Sequence, residues 1–331
     1  MKKSKHEDIS KKLGKLTIKE PYTKTRWLSI RVRAYIDLLR AFTLFAPFVV
    51  SMAIIVASLI IRYYQGHPIP ENWLLTVGHA STTILIVNAA SNALNQATDV
   101  EADIISKPYR PIPRKIIRPD EAQSLALVLY LFALLRSTTI NALFGFFIFL
   151  IMIFTVTYSL PPRMKKYLLI NQIWIAVPRG LLGILASWSV FGADNLLETP
   201  TPWIIGGVAT VFLIGGMSTK DIVDREADRR TGTRTLINTF GIKKTALFSF
   251  PFMFFPFIFI SIFINRGLLE SYLWPLILLA IPSIVILFLM IKPHESETLE
   301  NVPAWSIMYM QYISFALIFA FLTIFNDILP F

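Results

Sequence analysis

The sequence predicts an all-α membrane protein with nine transmembrane helices, and three observations support this prediction. Of its 331 residues, 54% are hydrophobic and only 16% are charged, whereas a soluble domain usually carries about a quarter charged residues. Apolar segments long enough to cross a bilayer recur between about residue 41 and residue 327. No polar stretch between them is long enough to fold separately, so we expect one transmembrane domain, residues 41–331, after a basic tail, residues 1–40.

Each predicted helix is a run of about twenty mainly apolar residues, which is the length needed to cross the hydrocarbon core. The third run is the shortest and ends at Arg136. The predicted spans are residues 41–63, 74–97, 121–136, 139–159, 169–193, 202–219, 245–265, 271–291 and 305–327.

The distribution of Lys and Arg residues predicts the orientation, because positively charged connections are retained in the cytoplasm. The tail has twelve such residues, and the connections after the even-numbered spans have sixteen, against three in the other connections. We therefore expect the tail and the even-numbered connections in the cytoplasm and the C-terminus outside. The connections after the second and sixth spans are the longest and most charged, so we expect the chemistry at the cytoplasmic face.

Composition also excludes several classes of function. The chain has no cysteine and only four histidines, which excludes disulfides, thiolate nucleophiles and a zinc site with recognisable spacing. The formal net charge is +11, but the basic residues cluster in short segments between apolar runs, where topology and lipid head groups explain them. Membrane lipids are therefore expected partners and nucleic acid is not. The sequence does not indicate an oligomeric state.

Two short segments concentrate acidic side chains at the ends of the second and sixth spans. Their members are spaced three or four residues apart, so in a helix they share one face. The first segment contains Asn95, Asp99 and Asp103, and the second contains Asp221, Asp224 and Asp228. A solvated helix end would explain either segment alone, but it does not explain two segments of similar spacing on one predicted face.

Carboxylates on one helix face repel one another and raise one another's pKa unless cations share that face. Mg²⁺ fits this requirement, because it takes oxygen ligands and is typically held by one or two carboxylates together with substrate phosphates. All six residues are therefore candidate metal ligands around a diphosphate. The basic residues that would neutralise the remaining phosphate charge are Lys107, Arg110, Lys220 and Arg229.

Taken together, these segments resemble the two signatures of the UbiA superfamily of intramembrane prenyltransferases. The first signature is the run from Asn95 to Asp103 with the Pro-rich element from Lys107 to Pro113, and the second is the run from Lys220 to Leu236. A third string, from Tyr158 to Lys166, is similar to an element of the chlorophyll synthase and homogentisate prenyltransferase branches. With nine predicted helices, the resemblance covers nearly all of the chain after the tail.

The resemblance implies a helical bundle around a central cavity, with Mg²⁺ and a prenyl diphosphate near the signatures and the prenyl chain in an apolar tunnel. Carried over residue by residue, it implies metal and diphosphate binding by Asn95, Asp99, Asp103, Asp224 and Asp228, support from Asp221, and phosphate contacts from Lys107 and Arg110. It also makes Tyr158 and Lys166 site candidates. The expected catalytic residues are Asp99, Asp103, Asp224, Asp228 and Tyr158.

The expected reaction transfers a polyprenyl group, of geranylgeranyl size, from its diphosphate to a lipophilic acceptor in the membrane. Mg²⁺ and basic residues would stabilise the leaving diphosphate, and the helices would exclude water from the allylic cation. An aromatic or quinone precursor or a tetrapyrrole is the expected acceptor. A glycerol-lipid hydroxyl, as in the digeranylgeranylglyceryl phosphate synthases, is the alternative.

Arg179 is a charged residue inside the fifth predicted span, where a charge normally faces the protein interior or a water-filled cavity. Two interpretations are open: it contacts the acceptor, or it pairs with another residue for structural reasons.

Two other classes of function compete with prenyl transfer. A cation-coupled secondary transporter would have its carboxylates near the bilayer midplane and on broken helices, whereas here they lie at predicted helix ends. A non-catalytic membrane scaffold gives no reason for paired acidic faces.

Overall fold

Helices make up all the regular secondary structure of residues 24–292 and 302–326, which are the residues described in this computed structural model. The first seven are α1 (Lys24–Leu39), α2 (Ala41–Tyr64), α3 (Trp73–Thr98), α4 (Val100–Ser106), α5 (Pro119–Thr138), α6 (Ala142–Ser159) and α7 (Ile170–Arg179). The next seven are α8 (Leu181–Gly192), α9 (Pro200–Gly216), α10 (Asp221–Thr231), α11 (Leu236–Phe240), α12 (Ile242–Asn265), α13 (Ala280–Ile291) and α14 (Pro303–Ile324). Three 3₁₀ segments, Met164–Lys166, Met217–Thr219 and Ser271–Leu279, connect some of them.

Within the described ranges, 8 helical segments are long and apolar enough to cross a membrane. They coincide with eight of the nine predicted spans and confirm an all-α protein of membrane type. The segments are Ala41–Tyr64, Trp73–Thr98, Ala142–Ser159, Ile170–Gly192, Pro200–Thr219, Ile242–Asn265, Ser271–Ile291 and Pro303–Ile324. The remaining prediction, residues 121–136, falls in α5, which is helical but not among them, and a ninth span there stays a prediction.

The predicted tail is helical in part, since α1 occupies residues 24–39. Two side chains of α3 hold its end: Asn92 Nδ2 donates to the Leu39 carbonyl at 2.9 Å, and Gln96 Nε2 donates to the Leu38 carbonyl at 2.6 Å. Arg40, in the left-handed region at φ 55°, separates α1 from α2. The rest of the tail, residues 1–23, lies outside the described residues.

Short turns redirect the chain at the two acidic segments. The second span ends at Thr98, and the chain continues through Asp99 into α4. The sixth span passes through the Met217–Thr219 turn into α10. Because α4 packs against α10, the ends of these spans bring the two acidic segments together.

The fifth predicted span is two helices, α7 and α8, with a break at Gly180. A Cβ atom on Gly180 would lie 2.4 Å from Thr210 Oγ1 and 2.7 Å from the backbone of the same residue, so only glycine allows this close approach. The break frees backbone groups, and two hydroxyls satisfy them: Thr210 accepts from Leu181 N at 2.7 Å, and Tyr312 donates to the Arg179 carbonyl at 2.7 Å. Bonds of this kind permit a broken helix inside a membrane.

Close packing and buried polar contacts hold the remaining spans together. Gly215 allows α9 to approach α12, since a Cβ there would lie 2.6 Å from the Ser249 carbonyl. Across the same region, Gln172 donates to Ser218 at 2.8 Å, and the hydroxyls of Ser218 and Ser249 are 2.9 Å apart. Small residues and interhelical hydrogen bonds are the usual means by which membrane helices associate.

Candidate active site

A cavity of about 520 Å³ extends between the helices from the two acidic segments, and ligand pockets typically have volumes of roughly 300–1,000 Å³. Along α3 its lining runs from Asp99 back to Ile84, which are about 22 Å apart at the rise of an α-helix. The lining is charged near Asp99 and becomes apolar toward Ile84 and Val87. One end therefore suits a charged group and the other an apolar chain.

Most of the predicted site residues line this cavity. They are Asn95, Asp99, Asp103, Lys107, Arg110, Tyr158, Lys166, Arg179, Lys220, Asp224 and Asp228. Asp221 is buried beside Lys220, with 3.4 Å between Lys220 Nζ and Asp221 Oδ1, and does not reach the lining. Arg229 is exposed on α10 and does not reach it either.

Basic side chains neutralise the carboxylates of the first segment. Lys165 forms an ion pair with Asp99, and Arg163 Nη2 is 3.2 Å from the same carboxylate. Arg110 Nη1 donates to both oxygens of Asp103 at 2.9 Å, and both of these residues are buried. Burial raises the pKa of the Asp103 carboxyl, and the neighbouring Arg110 opposes this effect.

An ion pair between Lys107 and Asp224 joins the two segments, because Lys107 follows α4 and Asp224 lies on α10. Burial favours the neutral form of Asp224, but Lys107 outweighs it and lowers the pKa of Asp224 to about 2. Lys220 Nζ contacts both Asp221 and the hydroxyl of Tyr158, the latter at 3.2 Å. The carboxylates at the charged end of the cavity thus alternate with the basic groups of Lys and Arg side chains.

Two carboxyl groups of the second segment are incompletely neutralised within the described part of the chain. Asp228 forms no ion pair there, and Asp221, although paired with Lys220 through Oδ1, has its buried Oδ2 without a hydrogen bond there. Burial, with the nearby carboxylates of Asp221 and Asp224, raises the pKa of Asp228. Uncompensated carboxylate oxygens of this kind fit a hard cation such as Mg²⁺.

In residues 24–292 and 302–326, no three acidic or histidine side chains are grouped closely enough to hold a metal ion. Asp99, Asp103 and Asp224 instead face Lys165, Arg110 and Lys107. Metal binding by these carboxylates would therefore require the basic side chains to move from carboxylate to another anion.

Sequence reasoning missed Lys165, which is buried against Asp99, and selected its neighbour Lys166. Both lysines belong to one 3₁₀ turn and both line the cavity. The turn starts at Arg163, which has a φ of 55°, and Lys165 is the lysine of this turn that pairs with Asp99. Two adjacent lysines were the available signal, but their order does not encode which of them forms the pair. Asn171, which at the start of the fifth predicted span is more typical of a helix-end polar residue than of a ligand, also lines the cavity and is buried, with no described partner for its Oδ1.

Comparison with known sequences gives one family and a consistent set of relatives. The profile of the UbiA prenyltransferase family matches residues 49–310. The digeranylgeranylglyceryl phosphate synthase of Sulfurisphaera tokodaii is 27% identical over 217 residues, which are 65% of this chain and 72% of the relative. The enzyme of the same name from Methanobrevibacter smithii is 24% identical over 295 residues, which are 86% of this chain and 96% of the relative.

Solved structures share the fold. A UbiA homologue from Archaeoglobus fulgidus bound to GPP and Mg²⁺ superposes with a TM-score of 0.65 at 17% identity, covering 88% of this chain and 98% of the homologue. A digeranylgeranylglyceryl phosphate synthase superposes with a TM-score of 0.56 at 21% identity, covering 87% and 99%. At these identities the likeness establishes the helical architecture and no more.

Proposed function

The chain belongs to the UbiA prenyltransferase family and is a prenyltransferase, and from this premise we propose that it transfers a polyprenyl group from its diphosphate to a lipophilic acceptor, with Mg²⁺ as cofactor. The observation that carries the proposal is the meeting of two acidic segments at the charged end of one cavity, joined by the Lys107 to Asp224 ion pair. The Archaeoglobus homologue, whose structure was solved with GPP and Mg²⁺, supports the choice of ligands.

We assign the metal to the oxygen atoms of the two segments. Asp228 forms no ion pair and Asp221 Oδ2 accepts no hydrogen bond within the described residues, and Asp99, Asp103, Asp224 and Asn95 complete the candidate ligand set. Bound there, Mg²⁺ would supply the positive charge that stabilises the leaving diphosphate.

The basic side chains would bind the diphosphate by exchanging partners. Lys107, Lys165 and Arg110 each face a carboxylate in this structure. When cations satisfy the carboxylates, these side chains become available to phosphate oxygens without leaving the site, and charge-assisted bonds to phosphate are among the stronger hydrogen bonds in proteins. Lys220 and Tyr158 continue this basic surface toward the cavity interior.

The apolar part of the cavity would hold the prenyl chain. Ile84, Val87, Ile148 and Leu213 line it, and its length along α3 suits a chain of several isoprene units, such as geranylgeranyl. Enclosure by helices keeps water from the allylic carbon while positive charge develops there.

For the acceptor, the relatives favour a glycerol-lipid hydroxyl over an aromatic or quinone precursor or a tetrapyrrole. The short string from Tyr158 to Lys166 resembles enzymes that act on aromatic or tetrapyrrole acceptors, whereas the relatives that align over most of the chain are digeranylgeranylglyceryl phosphate synthases. We therefore propose a glycerol-lipid hydroxyl as the acceptor, in a substrate such as geranylgeranylglyceryl phosphate.

We further propose that α5 is the ninth span and that the charged end of the cavity is cytoplasmic. Leu127, Val128, Leu131 and Leu135 of α5 are exposed apolar side chains, and lipid would cover them. With nine spans, the excess of Lys and Arg in the tail and the even-numbered connections orients the N-terminus and the site to the cytoplasm and the C-terminus outside.

The test is incubation of purified protein with labelled geranylgeranyl diphosphate, Mg²⁺, and geranylgeranylglyceryl phosphate, homogentisate or a chlorophyllide, with the product identified by mass. Prenylated geranylgeranylglyceryl phosphate with release of diphosphate is expected, and EDTA should abolish both. Asp99→Asn and Asp224→Asn should be inactive, and Asp120→Asn, at an exposed carboxylate on α5, should be unaffected. Absence of Mg²⁺-dependent diphosphate release with every acceptor would contradict the proposal and favour the transporter.

A further inference from the structure

Arg179 is a charged side chain in the wall of the cavity, and no described residue neutralises it. It is the last residue of α7, where the fifth span breaks at Gly180. The side chain is exposed inside the bundle because it faces the cavity. Its guanidinium forms no hydrogen bond or ion pair with any residue in the ranges that the structure describes, so the structural-pairing interpretation has no support there.

The groups around Arg179 are hydroxyls, which are uncharged. Four tyrosines lie within electrostatic reach of its guanidinium: Tyr130, Tyr158, Tyr309 and Tyr312. Tyr130 donates to Thr155 at 2.9 Å, Tyr309 donates to the Phe42 carbonyl at 3.1 Å, and Tyr312 donates to the backbone of Arg179 itself at 2.7 Å. Tyr158, Tyr309 and Tyr312 line the same cavity as Arg179, but none of these hydroxyls balances a positive charge.

The position of Arg179 differs from that of the diphosphate site. Arg179 is nine residues after Ile170, which places it about 13 Å along the helix from the start of α7. Tyr158 lies near both regions, since its hydroxyl is 3.2 Å from Lys220 Nζ and it is within electrostatic reach of Arg179. The cavity lining therefore contains two cationic regions, with Tyr158 near both.

We propose that Arg179 binds a negatively charged group of the acceptor, a phosphate or a carboxylate, and thereby selects anionic acceptors. The inference rests on the proposed function. The reacting carbon of the prenyl diphosphate must lie beside the diphosphate site, so the acceptor's nucleophile lies next to it and the rest of the acceptor extends past Tyr158 toward Arg179. A guanidinium suits this role because it binds either anion through two parallel hydrogen bonds and stays charged inside a protein. Tyr312 acts as a positioning residue by holding the Arg179 carbonyl.

The test compares Arg179→Gln and Arg179→Lys with the wild-type protein on paired acceptors. One pair is geranylgeranylglyceryl phosphate and its unphosphorylated alcohol, and the other is homogentisate and its methyl ester, so that phosphate and carboxylate are distinguished. In Arg179→Gln the KM for the anionic member should rise about tenfold or more, as expected for loss of a charge-assisted bidentate contact, while the KM for the prenyl diphosphate stays unchanged. Arg179→Lys should be intermediate. Arg266→Gln, at an exposed arginine after α12, is the matched control.

Two results would overturn the inference: an unchanged preference for the anionic acceptor in Arg179→Gln, or an equal loss of affinity for the prenyl diphosphate. If Arg179→Gln does not fold, as judged by its melting curve and elution volume, Arg179→Lys replaces it in the test. A weaker preference for anionic over neutral acceptors than in the wild-type protein supports the inference, and an unchanged preference overturns it. Wild-type protein that prenylates neutral acceptors as well as anionic ones refutes only this inference. Wild-type protein that prenylates nothing refutes the proposed function instead.

Discussion

At the residue scale, the charged end of the cavity is a set of alternating carboxylates and basic side chains. Asp99, Asp103 and Asp224 each form an ion pair with a Lys or Arg, whereas Asp228 forms none with any described residue. Breaking a buried pair leaves its partner uncompensated, so each of these side chains should affect the others. In the proposed reaction, this arrangement keeps the site assembled before cations and diphosphate bind.

The choice between two adjacent lysines gives the first prediction. Lys165→Ala should lower kcat/KM for the prenyl diphosphate by about 10- to 100-fold, since a hydrogen bond to a charged group contributes roughly 1.5–3 kcal/mol. The reason is that Lys165, and not Lys166, is buried against Asp99. Steady-state kinetics of Lys165→Ala and Lys166→Ala measures this directly. A larger loss for Lys166→Ala would contradict the prediction and favour Lys166, the lysine that the resemblance of the Tyr158 to Lys166 string implies.

Asp228 gives the second prediction, because among the proposed metal ligands it is the carboxylate that forms no ion pair within residues 24–292 and 302–326. Asp228→Asn should raise the Mg²⁺ concentration needed for half-maximal activity by roughly tenfold or more, since even outer-shell changes weaken metal sites by roughly 10–100-fold. Titration of activity with Mg²⁺ measures this shift. Glu226→Gln, an exposed carboxylate on the same helix, is the control. An unchanged Mg²⁺ requirement would remove Asp228 from the ligand set.

At the element scale, the break between α7 and α8 is the feature that places Arg179 in the cavity wall. Gly180→Ala should lower the melting temperature and the activity, because the added methyl group would overlap Thr210, and overpacking of this kind typically costs roughly 1–3 kcal/mol. Gly207→Ala is the matched control, since a Cβ there meets no atom within 4 Å. Equal melting temperatures for the two variants would mean that the chain can relax at Gly180 and that the break is not sterically required.

The membrane crossing of α5 gives a prediction that the absence of native cysteine makes simple to test. Single cysteines in place of Lys115, before α5, and Thr138, at its end, should react with an impermeant thiol reagent from opposite sides of sealed vesicles. The site at Lys115 should react from the cytoplasmic side. Labelling of both positions from one side would show that α5 does not span, and the predicted orientation would then need revision.

The sequence predicted most spans because long apolar runs have few alternatives, but it did not reveal the break at Gly180. The Pro178-Arg179-Gly180 string is visible, yet the apolar pattern continues on both sides, and the steric conflict with Thr210 depends on packing. Similarly, the basic composition of residues 24–39 did not indicate that they form α1, which α3 holds through Asn92 and Gln96.

At the scale of the whole molecule, two acidic segments more than a hundred residues apart meet at one cavity. Their spacing on a helix face could be predicted from the sequence, because it is local. The Lys107 to Asp224 ion pair could not, since it depends on how α4 packs against α10. The acceptor could not be predicted from a short motif either. The nine-residue string from Tyr158 to Lys166 favoured aromatic acceptors, whereas the relatives aligned over most of the chain are digeranylgeranylglyceryl phosphate synthases.

The central claim is that both segments bind the same Mg²⁺ ions and the same diphosphate. Calorimetric binding of an unreactive geranylgeranyl diphosphate analogue, with and without Mg²⁺, tests it in the wild-type protein, Asp99→Asn, Asp224→Asn and the double variant. If the ions are shared, each single variant should lose most of the Mg²⁺-dependent affinity, and the double variant should lose little more, because contacting residues are not additive. Independent, additive losses, or full affinity after either single substitution, would contradict the claim.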